Sequence, residues 1–270
     1  MNNSTIHVLG GGRWANRGFE YWVVQALRLS PVLIPNLLII PTPLELDDLP
    51  CDELSETIKR FMTPHVRRTK VQSLTHDTQA PPDYECAKKL IDWADVILIL
   101  GGLFPEQMKR FKATGIDRLL LDAAHAGGKV FVGSSTGMLV WFKAGQTVER
   151  PLPENPATKY EPATNYHLVE GMNYFPALAS AHMSEFGSAQ NVARAHAVEL
   201  MMSLQPVGTV CIGAHTSGVL VVKNDLVTIG AEEPYIGIQR IEVTSSGLKR
   251  TIHKPGQSPI PVEQFFGPTV

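Results

Sequence analysis

Residues 129–145 read KVFVGSSTGMLVWFKAG, and inside them Gly133-Ser134-Ser135-Thr136-Gly137 matches the pattern G-x-S-x-G. That spacing permits a sharp turn with a hydroxyl at its tip, because small flanking residues let backbone approach backbone. The run before it has strand character, and the apolar segment after it reads as a helix. This is the context a nucleophile elbow requires. Ser135 is therefore a candidate nucleophile, and amides at the start of the following helix could stabilise negative charge beside it. Two other readings of the same residues stand next to this one: a plain Gly/Ser turn joining strand to helix, and an anion-binding loop.

A serine hydroxyl needs a general base. Nine histidines are available. His7 falls in a core strand and His196 in a long helix. His125 ends a helix at the wrong end of the strand leading to Ser135. His182 lies in Ala179-Ser180-Ala181-His182-Met183, a small-residue loop after an aromatic segment and before a helix. It is one candidate among several, and a helix-entry hydrogen bonder is its alternative role. Near the first Gly-rich turn, Arg13 could hold a substrate carboxylate and Trp14 could wall a pocket. A surface arginine and aromatic core packing are the competing readings. Gly10-Gly11-Gly12 lacks G-x-G-x-x-G spacing, and neither a Walker loop nor H-E-x-x-H occurs, so no cofactor and no metal are expected.

Short β-branched runs alternate with helical segments through the first two thirds. Strands are expected at Ile6–Leu9, Leu37–Ile40, Lys70–Leu74, Val96–Leu100 and Lys129–Val132. Helices are expected at Gly18–Leu29, Leu54–Met62, Tyr84–Ala94, Glu106–Ala113, Gly115–His125 and Ala189–Leu204. This alternation predicts an α/β fold, a doubly wound, mostly parallel sheet flanked by helices. In such sheets the loops at the strands' carboxyl ends form the site, so one crevice could gather Gly10–Gly12, Gly101-Gly102 and Gly133–Gly137. From Thr209 onward the pattern changes to short strands with turn signals at Lys223-Asn224-Asp225 and Ser245-Ser246-Gly247, which predicts C-terminal antiparallel edge hairpins. A single domain over 1–254 is expected, with Pro151–Pro162 an excursion and 255–270 a Pro-rich tail on the surface.

The 270 residues are 44% hydrophobic and 19% charged, with a net charge of -2, which suits a globular protein and lacks the basic footprint of a nucleic-acid binder. Cys51, Cys86 and Cys211 are far apart and have no CxxC pairing, which argues against a disulfide framework or a thiolate zinc cluster. The start, MNNSTIHVLGGG, has no basic-then-apolar signal segment, and the apolar runs are too short to span a membrane. The cytoplasm is the expected location. The tail and the Pro-rich excursion are candidate homodimer contacts.

Taken in order, the chain has an early strand entering a Gly-rich turn, a prolyl strand end at Ile39-Ile40-Pro41-Thr42, and Gly101-Gly102-Leu103. Then come Gly133–Gly137 with Trp141-Phe142, and finally Ala181-His182-Met183. In this it resembles the dipeptidase E/cyanophycinase family of serine peptidases, whose fold is similar to class I glutamine amidotransferases. The resemblance covers about residues 5–230. It implies a peptidase or dipeptidase cleaving short or unusual peptides by acyl transfer, with Ser135 as nucleophile and His182 as base. It also implies that the backbone amides of Gly102 and Thr136 form an oxyanion hole. The chain departs from the family pattern at Thr136, where the family has alanine, and at Leu103, where it has asparagine. A third departure is Val148, where many members are acidic, which leaves Glu149, one position along, or another carboxylate to stand behind His182. The alternative implied by these departures is a catalytically impaired relative with a binding or structural role.

Overall fold

The computed structural model describes residues 4–11, 17–40, 68–71, 84–148, 166–183, 189–215, 217–231 and 237–268. In chain order the elements begin with β1 (Ile6–Gly10), α1 (Arg17–Leu29), β2 (Asn36–Ile40), β3 (Arg68–Val71), α2 (Tyr84–Trp93) and β4 (Val96–Ile99). They continue with α3 (Phe104–Thr114), α4 (Ile116–Ala126), β5 (Val130–Ser134), α5 (Thr136–Leu139), β6 (Phe142–Val148), β7 (Tyr166–Glu170) and β8 (Phe175–Ser180). The remainder is α6 (Ala189–Ser203), β9 (Val210–Ala214), β10 (Gly218–Lys223), β11 (Leu226–Ala231), β12 (Ile238–Thr244), β13 (Gly247–His253), β14 (Ile260–Pro261) and α7 (Val262–Phe266). The expected helix at Leu54–Met62 and the Pro151–Pro162 excursion lie outside the described residues.

The chain forms two compact units: Met1–Leu9, Arg13–Met138 and Val221–Asp225 make one, and the remaining segments the other. In the first unit the strand order runs β1-β5-β4-β2-β3. β2 pairs in parallel with β3 and β4, and β4 in parallel with β5. All the residues of β4 and β5 are buried, as are Leu37–Ile40 of β2, so these strands are continuous apolar runs rather than alternating ones. Helices cover such a sheet and leave no wet face to encode. α2 and α3 both pack on α4, and α1 packs on β5. Pro105 occupies the first turn of α3, where its missing N–H costs nothing, and Gly115 closes that helix at φ 74 with its N–H on the Phe111 carbonyl.

The second unit holds a six-stranded sheet in the order β13-β12-β9-β8-β6-β7. β8 runs parallel to both β6 and β9, while β7, β12 and β13 are antiparallel to their neighbours. The register between β6 and β8 shifts between Phe142/Ala144, which accommodates Pro176 inside a strand that is paired on both sides. Ala144, Leu178, Met183, Val198, Met202, Cys211, Ile241 and Val243 form a core cluster under α6.

Two expectations change. The apolar segment after Ser135 is helical only over Thr136–Leu139 and then becomes strand β6, so the dipole of a long helix is not available there. The expected C-terminal antiparallel hairpins are present, β10-β11 with β14 on its outer edge and β12-β13 at the edge of the six-stranded sheet. The end of the chain lies at the surface over 255–264 but enters the core beyond it. β14 pairs with β11, and Phe265 and Phe266 are 0% and 1% exposed.

Candidate active site

The turn after β5 is built by its glycines. A Cβ on Gly133 would stand 2.2 Å from the Gly137 carbonyl oxygen, and one on Gly137 would stand 2.0 Å from the Ile99 carbonyl oxygen of β4. Neither position admits a side chain, so both outer glycines of the motif are required by close backbone approach. Between them the backbone turns at Ser135 with φ 54, and the Ser135 carbonyl accepts the Met138 N–H at 2.9 Å. Ser135 is half-buried, while Ser134 and Thr136 on either side are buried at 4% exposure each.

Gly101 and Gly102 follow β4 and meet this turn. A Cβ on Gly101 would lie 2.8 Å from Ser135 Cβ and 3.3 Å from its Oγ, so only glycine leaves the hydroxyl room. The Thr136 hydroxyl donates to the Gly102 carbonyl at 2.6 Å. The branched residue that stands where the family has alanine therefore ties the two loops together. Ser135, Thr136, Gly101 and Gly102 are thus gathered in the first unit.

His182 belongs to the second unit, where the expected loop is in part the end of β8. It has φ 58 and is half-buried, in the turn directly after the strand. On its far side the Met183 N–H donates to the Ala214 carbonyl at 3.0 Å. The Met183 sulfur lies 2.3 Å from where a Gly213 Cβ would be, so Gly213 makes room for it. Gly11 packs on the same strand end, its missing Cβ 2.4 Å from the Ala214 carbonyl oxygen and 2.5 Å from that of His215. Gly11 is thus required by close packing on the end of β9.

Among the described residues, five that are not glycine have positive φ: Ser135, Asn173, His182, Asn224 and Asp225. Asparagine and aspartate visit this region routinely, and Asn224-Asp225 forms the two-residue turn of the β10-β11 hairpin. The other two are the candidate nucleophile and the candidate base. Each holds a left-handed conformation that costs about 1–2 kcal/mol for an ordinary residue.

Sequence reasoning missed a buried polar cluster beside His182. The Ser180 hydroxyl donates to Gln146 Oε1 at 2.5 Å, and Gln146 Nε2 donates to the Arg194 carbonyl at 3.3 Å. The Arg194 guanidinium donates to the Ala181 carbonyl at 3.2 Å and lies 5.7 Å from the Tyr166 ring centroid. The signal was a glutamine on the buried side of an otherwise apolar strand. Glu149, Arg13 and Trp14 lie outside the described residues. Cys211, buried in β9, has its thiol pushed up to about 12 by burial, which keeps it neutral and unreactive. No group of three or more His, Cys, Asp or Glu is gathered as a metal site would need among the described residues.

The fold is similar to that of a peptidase from an acI-B1 Actinobacterium, with a TM-score of 0.66 at 14% identity over 96% of this chain and 97% of that one. It is also similar to a provisionally assigned peptidase E protein from Listeria monocytogenes EGD-e, with a TM-score of 0.56 at 13% identity, covering 85% of this chain and 99% of that one. No curated protein sequence matches. The profile of Peptidase family S51 matches residues 34–230, a stretch that includes the Gly101-Gly102 loop, the Ser135 turn and His182. The chain belongs to peptidase family S51.

Proposed function

We propose that this member of a peptidase family is a serine hydrolase that cleaves short or unusual peptides by acyl transfer. Ser135 Oγ attacks the peptide carbonyl carbon while His182 takes its proton. The backbone amides of Gly102 and Thr136 receive the negative charge that forms on the carbonyl oxygen. The tetrahedral species collapses as the C–N bond breaks, and His182 returns the proton to the leaving amine. Water then attacks the acyl-Ser135 ester, again with His182 as base, and releases the acid. Glu149 or another carboxylate stands behind His182.

The observation that carries this reading is the pairing of strain with chemistry. Backbone strain persists where function over-determines it, and here it falls on one serine in a G-x-S-x-G turn and on one histidine. A second reading, a family member that binds peptides without cleaving them, is favoured by Val148 and Leu103 at positions where the family is polar.

Labelling with a fluorophosphonate probe separates the two. Stoichiometric labelling that is lost in Ser135→Ala and in His182→Ala supports the hydrolase. Folded wild-type protein that takes up neither bulky nor small alkyl fluorophosphonates supports the binding role.

A further inference from the structure

The polar cluster beside His182 has a geometry that core packing does not need. Gln146 and Ser180 are 1% and 0% exposed, on the side of the sheet that α6 covers. Their bonds leave Gln146 as the hub, with its oxygen accepting from β8 and its nitrogen donating to α6. An amide performs both tasks through two separate atoms, its oxygen accepting and its nitrogen donating, whereas a carboxylate cannot donate, an ammonium cannot accept, and leucine does neither. Arg194 completes a circuit, because its main chain is held by Gln146 while its side chain holds the Ala181 carbonyl.

The residues so held are Ser180 and Ala181, the two immediately before His182. On the other side, the Met183 N–H is held by Ala214. A left-handed histidine relaxes toward an ordinary conformation unless the peptides on both its sides are fixed, and this network supplies the fixing on the upstream side.

We infer that Gln146, Ser180 and Arg194 are positioning residues for His182, setting the turn from which its imidazole acts. The inference rests on the reading of His182 as the base, and it concerns geometry upstream of any chemistry. Fully satisfied buried networks specify one conformation sharply, whereas a broken one leaves buried groups unpaired and lets the local backbone rearrange. Small displacements of a catalytic group are expensive in rate, on the order of a hundredfold for 1 Å.

The test uses Gln146→Leu and, should that variant fold poorly, Ser180→Ala, which removes one bond and no volume of consequence. Two quantities are measured in the full chain. The first is fluorophosphonate inactivation, resolved into its maximal rate and its half-saturating concentration. The second is hydrogen exchange at the Met183 amide. The expected result is a maximal rate down roughly tenfold to a hundredfold with half-saturation within about twofold, together with exchange at Met183 faster by about tenfold. An unchanged maximal rate with unchanged exchange in both variants overturns the inference. Should wild-type protein resist the probe altogether, the hydrolase reading falls. Met183 exchange alone then decides the positioning claim, for it when exchange accelerates in the variants and against it when it does not.

Discussion

Replacing Ser135 by alanine and, separately, by glycine measures the strain at the nucleophile turn without reference to any substrate. Both changes delete the hydroxyl, and they differ only in whether a Cβ remains at φ 54. A Cβ in the left-handed region costs about 1–2 kcal/mol, because it crowds the following carbonyl oxygen. Glycine relieves that cost but gives back about 0.4–1 kcal/mol through the greater freedom of the unfolded chain. The net expectation is that Ser135→Gly is more stable than Ser135→Ala by about 0.5–1 kcal/mol. At an unstrained position the sign is opposite, with alanine favoured by about 0.5–1 kcal/mol. Urea denaturation of the two variants side by side, supported by melting temperatures that differ by about 2–4 °C per kcal/mol, reads the difference directly. The same pair at His182, with φ 58, repeats the measurement in the other unit. Alanine equal to or better than glycine at both positions refutes the claim that strain is held at these two residues.

Gln107 on α3 is 0% exposed, and among the described residues neither its Nε2 nor its Oε1 has a hydrogen-bond partner. Gln107→Leu therefore raises stability by about 1–3 kcal/mol in urea denaturation, the cost of burying an unsatisfied amide; a loss of stability would show that the amide is paired in solution. His7 is fully buried against the Phe131 ring, and burial holds its pKa down at about 3 against an ordinary value of 6.5. The folded protein thus binds fewer protons than the unfolded chain between those limits. Stability is intact above about pH 6.5 and falls with acidification toward pH 3, with a slope approaching about 1.4 kcal/mol per unit. In a pH series of urea titrations, His7→Phe flattens that limb; an identical slope in the variant would sink the assignment.

The first unit was legible because β2, β4 and β5 carry apolar runs between turn signals, and local pattern suffices to find them, whereas β3 (RTKV) carries no such run. Val96–Ile99 and Val130–Ser134 sit within two residues of where the sequence puts them. The six-stranded sheet was only half legible. β6 (FKAGQTV) continues an apolar stretch from Met138, and short apolar stretches do not distinguish helix from strand. β8 contains Pro176 and three small residues, a composition that does not favour a strand, and it is one because β6 and β9 pair with it on both sides. Ser135 was legible because its glycines are obligatory at fixed spacing. Gln146, Ser180 and Arg194 were not, because they come from three elements and share no motif. The prolines of the C-terminus concealed two phenylalanines that belong to the core.

Those phenylalanines bear on how the second unit assembles. Phe266 stacks on Phe175 at 4.5 Å and meets Phe142 edge-on at 5.8 Å, while Phe142 and Phe175 are 5.5 Å apart. The three rings come from widely separated stretches of chain, so joining them closes long loops before any reward is gained. Folding of this unit therefore has to close these long loops, a topology that generally folds more slowly than one built from local contacts. Until Phe266 arrives, Phe142 and Phe175 lack one of the rings that pack against them, and the strands that carry them, β6 and β8, are the ones that also bear Gln146 and Ser180.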